Sequence, residues 1–370
     1  MRKIFFGMIC LATVLGCSSS DSGTDTSDSY DRTAMLTNWA DNIIIPAFTD
    51  YKDKVTALSA AAASFNTAPS TENLTSLRTA WYAAYKAYQY IGMYDFGKAE
   101  ELHLNISANT YPADAAGIEA NITAGNYNLE LFSQYDKQGF PGLDYLINGL
   151  GNDDSEIVAH YATNANAANY KLYLSNIITR LKATADAVTA DWGGTYRDTF
   201  ISSSGNSVNS SVNKTTNLFV KNLEKDIRTG KLGIPAGLFS NNVPFAEKVE
   251  AYYKNDISRD LLNAGIQAEK DFFDGKSFSG STTGPSLKGY LDYVHAVRDG
   301  QPLSTIIDAQ FNTVIATDNA LDASFSQQIL EDNSKMVTAY NTLQQAVIYV
   351  KLDMLQALNI SIDYVDGDGD

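Results

Sequence analysis

The chain has 370 residues, 44% of them apolar and 19% charged, so it can bury a real core and is not a disordered polypeptide. Its 27 Lys and Arg stand against 43 Asp and Glu, and the net charge of −16 excludes routine binding to nucleic-acid backbones and works against attraction to an anionic membrane surface. At roughly 150 residues per domain the length predicts two domains, with one large domain as the alternative.

The first elements read as an address. Arg2 and Lys3 precede an apolar run, Ile4 to Leu15, that is too short to span a bilayer and has the form of a signal-peptide core. Val14-Leu15-Gly16-Cys17 then resembles the lipobox of bacterial lipoproteins. That resemblance implies cleavage before Cys17, a lipid on its thiol and, with Ser18 rather than Asp following, the outer membrane of a Gram-negative cell. The domain would face either the periplasm or the cell surface. Residues 1–16 are the expected signal peptide and 17–32 a tether, because Ser18 to Ser29 holds no large apolar residue. With Cys10 in the removed segment and Cys17 lipidated, the remaining domain has no cysteine for a disulfide, a thiolate nucleophile or a zinc site.

The body reads as helices. Ala34 to Phe65 and Thr71 to Tyr94 are Ala-rich with interspersed aromatics, and Pro69-Ser70-Thr71-Glu72 between them offers caps. Trp81, Tyr85 and Tyr88 share one helical face, which predicts core packing, with an aromatic-lined cleft as the sharper reading. Pro141-Gly142 reads as a turn, after which Asp144 either caps a helix or stands in a cleft. Leu174, Ile177, Ile178, Leu181, Ala185 and Val188 recur at helical spacing between Asn166 and Trp192. Gly193-Gly194, Gly230 to Gly237 and Gly275 to Pro285 interrupt helices. Tyr340, Leu343, Val347, Val350 and Met354 step by three and four, and strand signals are scarce. The expected fold is all-α: two antiparallel, four-helix-type bundles, residues 33–192 and 193–370.

Known catalytic signatures are missing. His103, His160 and His295 have no ligand partner at i+4, so a zinc hydrolase would have to be assembled from scattered residues. There is no nucleophile elbow or phosphate loop. Asp366, Asp368 and Asp370 alternate with glycine like the start of a calcium loop, but the distal Glu is missing and a solvated tail is expected.

Five segments in order resemble the imelysin-like family, also called peptidase M75: Asn38 to Phe48, Leu77 to Tyr85, Gly139 to Ile147, Lys231 to Gly237, and Lys351 to Ile360 with the Asp/Gly tail. The resemblance spans about Thr33 to Asp370. It implies an all-helical fold of two bundles with a site between them, and an association with bacterial iron uptake. The family's Gly-x-His-x-x-Glu motif corresponds here to Gly139-Phe140-Pro141-Gly142-Leu143-Asp144. Gly139 is kept, Pro141 stands at the His position and Asp144 at the Glu position. A proline side chain neither ligates a metal nor accepts a proton. The family's further Glu falls near Gly92 and its helical Arg at Tyr85.

The resulting expectation is a lipid-anchored, non-enzymatic binding protein associated with uptake of iron or another nutrient. No cofactor is assigned; iron or another divalent metal is the candidate. The alternatives are a metallopeptidase of the M75 type and an interaction subunit of an outer-membrane receptor. Trp81, Tyr85, Asp95 and Asp144 are the candidate ligand-binding residues, chosen by position and chemistry.

Overall fold

The computed structural model describes residues 29–364, so the lipobox with Cys17, most of the tether, and the Asp/Gly tail lie outside the described residues. Helices account for almost all regular structure; two antiparallel two-residue strands, Val297–Arg298 and Gln301–Pro302, are the exception. No helix among the described residues is long and apolar enough to cross a membrane.

Helices Ile45–Thr67, Thr71–Tyr88 and Ala167–Trp192 pack together as one group. The three-residue link before Thr71 forces the first two to run antiparallel. Ser70 caps the second, its hydroxyl accepting the Asn73 N–H at 3.3 Å. That capping bond contributes about 1 kcal/mol. Leu174, Ile177, Ile178, Leu181, Ala185 and Val188 all face the core, as their spacing predicts.

The second group holds Ser211–Lys221, Ser258–Asp274, Leu303–Asp318 and Phe325–Ile348. Two π-helical stretches extend it: Asn222–Gly233 continues the first of these helices and Tyr349–Met354 the last. The seam of Leu343, Val347, Val350 and Met354 runs buried through that change.

Two local expectations need correction. The helix from Thr71 ends at Tyr88 rather than Tyr94, because the chain then turns tightly, Gly92 N bonding back to Tyr88 O at 3.0 Å. Pro141-Gly142 is not a turn but part of the short helix Gly139–Asp144. Pro141 sits in its first turn, where a missing N–H costs nothing. Gly230 to Gly237 is not helical throughout, as expected: the helix runs to Gly233 and the chain leaves it on the way to Gly237, whose φ is +83°.

The start of the described chain is clamped to the second group. The Tyr30 ring stacks on Tyr290, centroids 4.3 Å apart and planes 6° from parallel. The Tyr30 hydroxyl donates to Ser286 O at 3.1 Å, and Arg32 Nε donates to the Tyr290 hydroxyl at 2.9 Å. Farther in, the Trp39 ring packs on Phe272 at 4.7 Å.

Candidate functional site

The end of the 71–88 helix and the turns that follow it face the 222–233 π-helix across a cleft of about 320 Å³. One wall carries Tyr88, Asn105, Asn109 and Tyr111; the other carries Asp226 and Lys231. The π-helix explains the second wall. Bonding from i to i+5 widens the turn, so residues four and five apart come onto one face. Asn222, Asp226, Ile227 and Lys231 follow that spacing, and all line the cleft. Gly265 lines the cleft beside this helix, where an added Cβ would lie 3.3 Å from Ile227 Cδ1.

A buried polar network lies beside the cleft. Glu250, 1% exposed, accepts from Asn109 Nδ2 at 2.8 Å and Gln89 Nε2 at 3.2 Å, and pairs with Lys231 Nζ. Lys231 Nζ also donates to Gln89 Oε1 at 2.9 Å. The Tyr85 hydroxyl donates to Asn109 Oδ1 at 2.5 Å, which ties the 71–88 helix into the same network. Burial, then Glu250, holds the Tyr85 hydroxyl firmly protonated. A carboxylate removed from water needs this much compensation, and Glu250 receives three donors.

Asp226 is different. It sits on the cleft wall with its side chain exposed there, and it makes no hydrogen bond or ion pair with another described residue. The protein packed around it pushes the carboxyl up to about 6, opposed by Lys221 and Lys231 and reinforced by Asp95.

The Gly139–Asp144 helix borders a second, smaller cavity of about 240 Å³, which shares Tyr111 and Pro112 with the first. Only glycine fits its first position: Gly139 has φ +69°, and a Cβ would lie 2.3 Å from Ala108 O. Pro141 and Asp144 line this cavity. Asp144 is 1% exposed, and its oxygens are saturated by donors: Tyr253 N at 2.8 Å, Lys254 N at 2.9 Å and Asn148 Nδ2 at 2.9 Å. Burial outweighs these bonds and pushes its carboxyl up to about 7. So Asp144 borders a cavity, but its oxygens hold the 249–254 turn in place. It does not cap its own helix, of which it is the last residue.

These residues do not fit a metal centre of the kind the motif implies. Pro141 offers no donor atom, the Asp144 oxygens are committed to N–H groups, and no histidine borders either cavity. Among the described residues no group of three or more His, Cys, Asp and Glu is placed to hold a metal ion.

Of the residues expected from sequence, Asp144 and Pro141 come together with Gly139, as the motif requires. Tyr85 lies behind the cleft wall, in the network. Trp81 is fully buried, its Nε1 donating to Phe140 O at 3.1 Å, and Phe140 stacks on Tyr85 at 4.6 Å. Trp81 therefore lines neither cavity and fixes the position of the 139–144 helix. Asp95 lines neither cavity, and is held above the usual carboxylate range by burial. Sequence reasoning missed Asp226, Lys231 and Glu250. The signal for the first two was a carboxylate-and-lysine run, Glu224 to Lys231, on a helix too polar for a core; Glu250 lies outside it.

A family model described as imelysin (peptidase M75) matches residues 44–351. An imelysin-like protein from Psychrobacter arcticum 273-4 has a similar crystal structure, with a TM-score of 0.69 and 18% identity over 90% of this chain and 97% of that one. A protein described as a candidate iron-regulated protein A precursor from Parabacteroides distasonis ATCC 8503 superposes with a TM-score of 0.70 at 19% identity, again over 90% and 97% of the two chains. At these identities the likeness establishes the fold. No curated protein matches the sequence.

Proposed function

The chain belongs to the imelysin family, and from that premise we propose that it is a lipid-anchored binding protein of the cell envelope, without peptidase activity, serving the uptake of iron or another nutrient. The observation that carries this reading is Asp144. A peptidase needs a metal, a nucleophile or a paired acid and base at its centre. At the motif, Pro141 supplies none of these, and the Asp144 carboxyl is spent on the backbone of Tyr253 and Lys254. Beside it lies a cleft of a size suited to a small ligand. The anchor rests on Cys17 and its lipobox, and the link to iron on the family and on the name of one structural relative.

The experiment uses the chain from Ser18 onward, which keeps every described residue. Elemental analysis after purification without chelator is followed by calorimetric titration with Fe(II), Fe(III), Zn(II) and Ca(II), with Asp144→Ala alongside. Casein hydrolysis is assayed with and without chelator. The expected result is no chelator-sensitive proteolysis, and no stoichiometric metal that disappears in the Asp144 variant. Chelator-sensitive hydrolysis, lost in Asp144→Ala while the variant stays folded, would end the non-enzymatic reading. Lipidation is tested separately, by labelling whole cells with a clickable fatty acid; a Cys17→Ser chain should take up none.

A further inference from the structure

The polar atoms facing the 320 Å³ cleft are unevenly committed. Most of its donors are spent. Lys231 Nζ is on Gln89 and Glu250, Asn109 Nδ2 on Glu250, and Asn105 Nδ2 on Gly92 O at 2.6 Å. Asn222 Nδ2 donates to Glu269 at 2.5 Å. Lys225 already has a partner, and Lys248 Nζ lies over the Phe245 ring, 3.9 Å from its centre. Besides the Tyr111 hydroxyl and Lys248 Nζ, which make no hydrogen bond to a described residue, what remains open is an acceptor: the Asp226 carboxylate, with no partner among the described residues. An open carboxylate beside donors that are mostly committed calls for a donor from a ligand, and a charged one most of all.

The surroundings fit a cation that is organic rather than a bare metal ion. One carboxylate is too few ligands for a bare divalent ion, which takes four or more. Tyr88 and Tyr111 line the same cleft, and aromatic rings attract ammonium and guanidinium groups. Ile106 and Ile234 also line it while remaining 43% and 40% exposed, so the way in has apolar sides against which an alkyl stem packs. The chain's net charge of −16 draws cations toward it.

We propose that this cleft binds a small organic cation, a primary ammonium or guanidinium group on a short alkyl stem, with the cationic head on Asp226 and the stem against Ile106 and Ile234. The proposal rests on the reading of the protein as a binding protein and names the ligand class of its cleft.

The test is isothermal titration at neutral pH with putrescine and agmatine, with butanediol as the neutral analogue and succinate as the anionic one. The cations should bind at least about tenfold more tightly than butanediol or succinate. Asp226→Asn should weaken them by about tenfold or more. Because Asp226 makes no bond to other described residues, that variant should keep the wild-type circular dichroism and melt no lower than wild type. Ile106→Trp, which narrows the cleft and leaves Asp226 intact, should weaken the same ligands and guards against a folding artefact. Equal or tighter binding of butanediol or succinate, cation binding unchanged by Asp226→Asn, or no cation binding at about 10 mM would each overturn the proposal. Preference for succinate would end the cation assignment while leaving the binding-protein reading intact; metal-dependent proteolysis would do the reverse.

Discussion

Gln89, one residue past the end of the 71–88 helix, accepts a 2.9 Å hydrogen bond from Lys231 on the facing π-helix. That single bond joins the two helical groups through a buried charge. Glu250 balances the charge from a third segment. The three residues therefore act as a unit.

Removing one partner should be worse than removing two. Glu250→Ala leaves Lys231 as an unpaired buried ammonium and should cost about 3–5 kcal/mol in urea unfolding. The double variant Glu250→Leu/Lys231→Met removes both charges and should recover a large part of that loss. A double variant less stable than Glu250→Ala would mean that the pair contributes through its geometry rather than through charge balance.

Gly139→Ala tests the motif's glycine as a backbone requirement. The new Cβ would stand 2.3 Å from Ala108 O, at φ +69°. A loss of about 2 kcal/mol or more is expected, from strain and from displacement of the helix that carries Asp144. Thermal unfolding with near-wild-type stability would show that the 139–144 helix shifts at little cost.

Asp318 should make the protein less stable as pH rises. Both its oxygens are buried without a partner, and burial pushes the carboxyl up to about 8. In the unfolded chain an Asp titrates near ~3.9. Below that value both states are protonated and the group costs nothing. Above it the unfolded chain gives up its proton first, so stability falls until the folded carboxyl ionises too. Asp318→Asn should therefore stabilise the protein by about 2–4 kcal/mol at pH near 8 and by little near pH 4. Melting curves of both proteins across that range decide it; parallel curves would show that Asp318 reaches water.

Cation binding in the cleft should weaken in mild acid. Asp226 protonates near 6, below which its attraction for an ammonium is lost. The charged and titratable groups acting on it are Lys221, Lys231, Asp95, Glu269, Tyr88 and Tyr111; Asp95 and Glu269 are themselves held above the usual carboxylate range by burial. Putrescine affinity should fall about tenfold between pH 7.5 and pH 5, and the Asp226→Asn variant should show no such fall.

Much of the fold was legible because helix periodicity is a local signal. The six apolar residues from Leu174 to Val188 declare a buried face without reference to anything else in the chain. Ser70, at the head of a helix, is equally local. The motif was legible in part: Gly139 and Asp144 marked the place, while the role of Asp144 depended on Tyr253 and Lys254, more than a hundred residues away. The cleft was not legible. Asn109, Asp226 and Glu250 are ordinary surface residue types, and they become a site only when tight turns and a π-helix bring distant segments together. Neither device has a strong sequence signature: the run from Asn222 to Gly233 reads as an ordinary polar helix.

The stacking of Tyr30 on Tyr290 settles where mechanical load enters the molecule. Tension on the chain ahead of Ser29 is taken first by this ring pair and by the Tyr30 hydroxyl on Ser286. Both partners belong to the Leu287–Tyr293 helix and its cap, far along the sequence from the cleft walls. A pull is thus met at that helix, none of whose residues lines the cleft. Whatever drags on the amino-terminal segment, a ligand held at Asp226 need not feel it.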